Sequence, residues 1–197
     1  MTENRDNSTK TLFDCLAKLY KQGQMLLLDA DRLMGEYGWE CMHNSAPAAL
    51  SNSLNSPERW YARWATRFYM STVQKEEESL DRLLFVSIHF ASDHDTDVDE
   101  PVVSAGRLLY GEPMVWKTAG MTYEYWMCKY WFLSRPRPHE TLEGWRQGGQ
   151  SRWFENLKGN ETFIVPLYDI TSSDKLKQLV VEPLLAAGHQ TALEVNP

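Results

Sequence analysis

The opening of the chain carries a stripe of apolar and small residues whose spacing alternates between four and three. Its members are Leu12, Leu16, Leu19, Gly23, Leu26, Ala30, Leu33 and Tyr37. This spacing places them on one face of an α-helix, at the a and d positions of a heptad repeat. We therefore predict a disordered tail at residues 1–8 and one long helix over residues 9–37, capped by Ser8 or Thr9. Because such a face has to be covered, the first helix is expected to form a homodimer or to bind a protein partner.

Beyond residue 58 the pattern changes to short runs in which apolar and polar residues alternate. A period of two is typical of β-strands that present one face to a core. The runs at 83–91 and 102–110 flank an acidic loop, which predicts an antiparallel hairpin. Further strands are predicted over residues 63–73, 122–133 and 162–170. Residues 59–170 are therefore expected to form an antiparallel sheet.

Two other stretches complete the predicted order of elements. Residues 43–57 are polar and rich in Ser and Asn, which predicts a loop. Residues 172–187 are predicted to form a C-terminal helix that is capped by a serine and kinked at Pro183. Residues 9–197 are thus predicted to form a single α+β domain. It has a mostly antiparallel sheet of about five strands, with the long N-terminal helix and the C-terminal helix packed on it.

The net charge of −7 arises within residues 75–100, where nine acidic residues outnumber two basic ones. Proteins that bind duplex DNA contact its phosphates through Lys and Arg. Because this chain is acidic overall, we exclude duplex DNA as the main partner. No apolar run approaches the ~20 residues of a membrane-spanning helix, so no membrane partner is expected. The three cysteines have no CxxC spacing and are expected to be unpaired, buried thiols. Residues 1–10 are polar, unlike a signal peptide, and these features together favour a cytoplasmic location.

Residues 93–100 most resemble a metal-binding loop, because acidic residues occupy alternate positions there. A calcium loop also needs a Gly at its sharp turn and a bidentate Glu at its twelfth position. Counted from Asp95, that twelfth position is Gly106. We therefore predict a solvated loop, no metal site and no cofactor. Phosphate-binding and nucleophile motifs are also missing from the sequence.

Aromatic residues are dense, with eight Trp and nine Tyr, most of them between residues 59 and 154. Alternation on the strand at 63–73 places Arg and Tyr residues on one face. A basic and aromatic face suits a small anionic or planar ligand, single-stranded nucleic acid or a protein partner. The alternative is that the aromatic side chains fill the core and guanidinium groups stack at its rim. The candidate ligand-binding residues are Tyr61, Arg63, Arg67, Tyr69, His89 and Tyr125.

Three functions are consistent with these patterns, and binding of single-stranded nucleic acid through the aromatic face ranks last because the chain is acidic. The heptad face and the lack of a catalytic motif favour a non-catalytic binding or interaction module, such as a small-ligand sensor or a dimeric scaffold. The alternative is an enzyme that acts on an anionic substrate through Arg63, Arg67 and His89, with metal assistance from the acidic loop. The sequence identifies no catalytic residue.

Overall fold

The computed structural model describes residues 3–42, 47–49, 62–90, 100–115, 146–148 and 157–190. They form the predicted α+β fold, with a long first helix, an antiparallel sheet and a final helix. The elements are α1 (Glu3–Glu36), β1 (Trp39–Cys41), β2 (Pro47–Ala49), β3 (Ala62–Ser71), α2 (Thr72–Glu76), β4 (Ser79–His89), β5 (Val102–Val115), β6 (Arg146–Gly148), β7 (Leu157–Pro166), α3 (Ser173–Leu176) and α4 (Glu182–Gln190). A 3-10 turn (Leu167–Asp169) precedes α3, and a π-helical segment (Lys177–Val181) joins α3 to α4 into one C-terminal helix.

The described strands form one sheet in the order β1-β3-β4-β5-β7-β6, and β2 also pairs with β3. Every pairing is antiparallel. Strands β3, β4, β5 and β7 are long, whereas β1, β2 and β6 have three residues each. Across the sheet, Val86 lies between Arg67 and Ala105, and Ala105 pairs with Phe163. This register decides which side chains of different strands share a face.

The predicted hairpin of β4 and β5 is confirmed, but both strands are longer than the sequence indicated. Strand β4 begins at Ser79, and β5 continues to Val115 through a Gly-Glu-Pro sequence that the pattern favours as a strand end. A register shift between Leu80 and Arg82 explains this continuation, because it leaves several residues of β5, Pro113 among them, without a paired residue on β4. A proline at such an irregularity removes no ladder hydrogen bond.

Helix α1 begins at Glu3, so the prediction of a disordered tail at residues 1–8 is wrong for residues 3–8. Ser8 lies inside the helix and does not cap it. Residues 3–8 contain neither Pro nor Gly, so no helix-breaking residue prevents the helix from extending through them. In the described part of the chain, no helix is both long and apolar enough to span a membrane.

The predicted loop at 43–57 contains strand β2, which pairs with β3 at Ala62, Trp64 and Ala65. Three residues are too few to produce a recognisable alternation, so the sequence pattern missed this strand. Pro47 is its first residue, a position that proline tolerates. The predicted strand at 122–133 lies outside the described residues.

The C-terminal helix is capped as predicted, since the Ser172 hydroxyl accepts a hydrogen bond from the backbone N–H of Lys175 at 3.2 Å. Its π-helical segment ends just before Pro183, and the N–H of Glu182 donates to the carbonyl of Lys177. A proline lacks an N–H and clashes with the carbonyl four residues earlier. The wider π turn lies directly before the position where the kink was predicted.

Both faces of the sheet are buried. Helix α1 and the C-terminal helix cover one face, which we call the helix face. Its core residues include Ala30, Leu33, Met34, Leu84, Val86, Ile88, Val103, Phe163, Val180 and Leu184. The opposite face is also buried, at Trp64, Phe68, Phe85, Ser87, His89 and Leu108. The predicted alternation of β4, with Leu84, Val86 and Ile88 against Phe85, Ser87 and His89, is confirmed.

Candidate functional site

Two of the predicted ligand-binding residues, Arg67 and Tyr69, lie on the helix face of β3 and contact the same carboxylate of α1. The Tyr69 hydroxyl donates to Oδ1 of Asp31 at 2.9 Å, and Nη2 of Arg67 lies 3.1 Å from Oδ2. Tyr69 is fully buried, and its burial, followed by the charge of Asp31, raises the pKa of the phenol well above its usual value. These contacts join α1 to the sheet, and the side chains of Arg67 and Tyr69 are both bonded to Asp31 within the fold.

His89 lies on the opposite face. Its Nε2 is 3.0 Å from the hydroxyl of Ser104 on β5, and the neighbouring Thr66 and Ser87 hydroxyls are 2.7 Å apart. His89 is fully buried, and burial lowers its pKa to about 3, so the imidazole is neutral at pH 7. A buried His that carries one hydrogen bond to a hydroxyl is a packed polar group, consistent with a structural role.

The structure therefore does not bring Arg67 and His89 together. Arg67 pairs with Val86, and Val86 faces away from His89 along β4. The backbone of Arg63 belongs to β3, but its side chain is outside what the structure describes, and Tyr61 and Tyr125 lie outside the described residues altogether. Ligand binding by these residues remains a prediction.

A buried ion pair on the helix face was not predicted from the sequence. Arg107 of β5 and Glu161 of β7 are paired in register, and the guanidinium lies 2.5 Å from Oε2 of the carboxylate. Their side chains are only 8% and 15% exposed. Burial of one charge without the other would be costly, so each requires its partner. Alternation along β5 places Arg107 on the helix face, and alternation along β7 places Glu161 there. Only the register between the two strands makes these two residues neighbours.

The predictions about metal binding and about the cysteine thiols concern residues away from these contacts. Among the residues that the structure describes, no group of three or more His, Cys, Asp or Glu side chains could hold a metal ion. The acidic stretch at 93–99 lies outside them. Of the cysteines, Cys15 is exposed, so the expectation of buried thiols is wrong there, and Cys41 is partly buried.

The first helix is covered along only part of its heptad face. From Gly23 to Leu33 the face is packed on the core, whereas Tyr37 is 46% exposed. A Cβ added at Gly23 would lie 2.7 Å from the ring of Phe90, and the Tyr20 ring meets the same ring edge-on at 5.0 Å. Residues 8–15 are all exposed, with Leu12 at 67% and Phe13 at 64%. We call residues 8–21 the projecting half of α1.

A groove of about 420 Å³ lies where the covered part of α1 begins. One wall is α1, and the other is the segment that runs from the 3-10 turn into α3. The lining residues are Leu19, Gln22, Gly23, Met25, Leu26, Asp29, Leu167, Tyr168, Ile170, Thr171, Ser172, Ser173 and Leu176. Near the groove, Nη2 of Arg32 donates to the Ser173 hydroxyl at 2.8 Å, which ties the two walls together. The groove therefore combines an apolar lining with one carboxylate and several hydroxyls.

Comparisons with known proteins do not indicate a function for this chain. No family model, no curated protein and no solved structure matches this chain. The candidate functional site is accordingly the projecting half of α1 together with the groove beside it, since four of the seven large exposed apolar side chains of the described residues, Leu12, Phe13, Met25 and Tyr168, belong to them.

Proposed function

We propose that this chain is a non-catalytic interaction module that forms a homodimer through the projecting half of α1. The observation that carries the proposal is the exposure of Leu12 and Phe13 on a helix whose continuation is packed in the core. The same four-and-three spacing runs through both parts, and that spacing is typical of helix faces that pack against another helix. A second copy of α1 offers such a face.

The groups that the sequence nominated for chemistry support a non-catalytic role. Arg67 is held by Asp31, and His89 is buried with a pKa far below neutrality. A general base works best with a pKa near the working pH, in contact with substrate. Fully buried His89, on the far side of the sheet from Arg67, meets neither requirement.

The exposed area sets the expected strength of the dimer. Fully burying a Leu or Phe side chain contributes about 1.5–3 kcal/mol, and Leu12 and Phe13 are about two-thirds exposed, so each contributes about 1–2 kcal/mol. Two copies supply four such side chains, or about 4–8 kcal/mol, which association costs of a similar size offset in part. We therefore expect a weak dimer, because even an uncompensated gain of about 8 kcal/mol corresponds to a dissociation constant of only about 1 μM.

Sedimentation equilibrium tests this proposal. The wild-type chain is expected to shift from monomer to dimer between about 1 and 500 μM. Phe13→Ser removes an apolar side chain from both copies and should raise the dissociation constant by about tenfold or more. Thr11→Ser is the matched control, because this neighbouring exposed residue lies on the other side of the helix, keeps the charge of the helix unaltered and should leave dimerisation unchanged. A wild-type chain that stays monomeric throughout the range would refute the proposal.

A further inference from the structure

We infer that the groove between α1 and the 167–176 segment receives the projecting half of α1 from a second copy, with Leu12 and Phe13 of the partner subunit entering it. This inference rests on the proposed homodimer and adds the surface that the projecting half contacts. In such a dimer, the projecting half of α1 of each copy lies in the groove of the other copy.

The groove cannot be filled from within its own subunit by the projecting half. Phe13 and the groove residue Gln22 belong to the same continuous helix, nine residues apart, which separates them by about 13 Å along the axis. An antiparallel α1 from a second copy avoids this restriction. A two-fold axis near residues 17–18 would place Phe13 of the partner subunit beside Gln22, and the reciprocal contact follows from symmetry.

The chemistry of the two surfaces is complementary. The apolar groove residues Leu19, Leu26, Ile170 and Leu176 offer a lining for aliphatic and aromatic side chains. A space of about 420 Å³ falls within the range that proteins use to bury ligand-sized groups. The exposed apolar side chains of the projecting half are groups of this kind.

The charges of the two surfaces are opposite. Within residues 8–21, three basic residues outnumber one acidic residue, a net of +2, from Lys10, Lys18, Lys21 and Asp14. The charged side chain that lines the groove is the carboxylate of Asp29. In the antiparallel arrangement Lys10 of the partner subunit lies beside Met25, one helical turn from Asp29. Opposite potentials favour this contact and fix its orientation.

The size of the combined surface is sufficient for a specific contact. Thirteen residues line the groove, and residues 8–15 add eight exposed positions, so up to twenty-one residues of each copy are available. Specific interfaces use about 20–30 residues a side. Residues 8–15 alone supply fewer than half of that number.

Filling the groove tests this inference with a matched pair of variants. Gln22 and Gln24 are both exposed on α1, but only Gln22 lines the groove. Gln22→Trp should raise the dimer dissociation constant by about tenfold or more, because its ring occupies the space that the partner needs, whereas Gln24→Trp should change it by less than about twofold. Thr171→Trp fills the groove from the opposite wall and should act like Gln22→Trp. Melting curves at a concentration where the chain is monomeric check that each variant folds.

The outcomes separate this inference from the proposed function. If Phe13→Ser disrupts the dimer while Gln22→Trp and Thr171→Trp leave it intact, the groove is not the contact surface and the inference is overturned, although the homodimer stands. If the wild-type chain never dimerises, both fall. Raising the NaCl concentration should also weaken the dimer, because salt screens the attraction between the basic and acidic surfaces. A dimer that strengthens or is unchanged with salt would contradict the charge argument.

Discussion

Acidification should destabilise the fold through His89. This side chain is fully buried against Ser104, and its pKa falls from 6.5 to about 3 because burial disfavours the imidazolium. In the unfolded chain the imidazole regains its ordinary pKa. Between pH 6.5 and pH 3 the unfolded state therefore binds a proton that the native state does not, and stability is lost as the pH falls through that window.

The size of the effect follows from the two pKa values. Each pH unit below 6.5 costs about 1.4 kcal/mol of unfolding free energy until the native pKa is reached. At pH 5 the loss amounts to about 2 kcal/mol relative to pH 7. Most carboxylates remain ionised at pH 5, since their ordinary pKa values are about 3.9–4.3. The interval from pH 7 to pH 5 thus isolates the histidine contribution from most acid titration.

Urea unfolding at pH 7 and pH 5, followed by far-UV circular dichroism at a concentration where the chain is monomeric, measures this loss. His89→Asn keeps a hydrogen-bonding group near Ser104 but has no proton to gain. The variant is expected to be less stable than wild type at pH 7, because its side chain is smaller, and to lose about 2 kcal/mol less on acidification. Equal losses in the variant and the wild type would refute the assignment of the pH dependence to His89.

Three further predictions concern stability and can be checked by the same urea titration at pH 7. Tyr69→Phe removes a hydrogen bond to the carboxylate of Asp31 and should cost about 1.5–3 kcal/mol; no loss would mean that this contact is not formed. Gly106→Ala would press a Cβ against a backbone carbonyl of β7 and should cost at least about 3 kcal/mol, whereas the control Gly35→Ala meets nothing within 4 Å and should be neutral or slightly stabilising. Ser71→Ala removes the capping box of α2 and should cost about 1 kcal/mol, and an unchanged midpoint would argue against the cap.

The sequence predicted those parts of the fold in which a pattern extends over several residues. The alternation of β4 correctly separated Val86 from His89, and the helix predicted from the heptad stripe to residue 37 ends at Glu36. Strands β1, β2 and β6 have only three residues each, too few for any period to be seen. They exist because longer neighbouring strands offer them unpaired hydrogen-bonding groups, which is tertiary information.

The candidate site, like the fold, could be predicted from the sequence only in part. Alternation along each strand predicts which of its side chains share a face. Whether Arg67 and His89 lie on the same face of the sheet depends on how β3 and β4 are aligned. Once Arg67 is known to pair with Val86, alternation alone places it on the face opposite His89. The groove was beyond sequence reasoning, because its walls come from α1 and from a segment about 140 residues later.

Helix α1 has a consequence for the dynamics of the chain. Downstream of Gly23, its hydrogen bonds are protected by a packed core, but residues 8–15 depend mainly on intrinsic helix propensity. Isolated helices shorter than about 12–15 residues are marginal in water. A gradient of amide-exchange protection should therefore run along one unbroken helix, low near Leu12 and high near Leu33 in the monomer. If association orders the less protected end, part of its binding energy is consumed in doing so, and the complex is both weak and readily reversible.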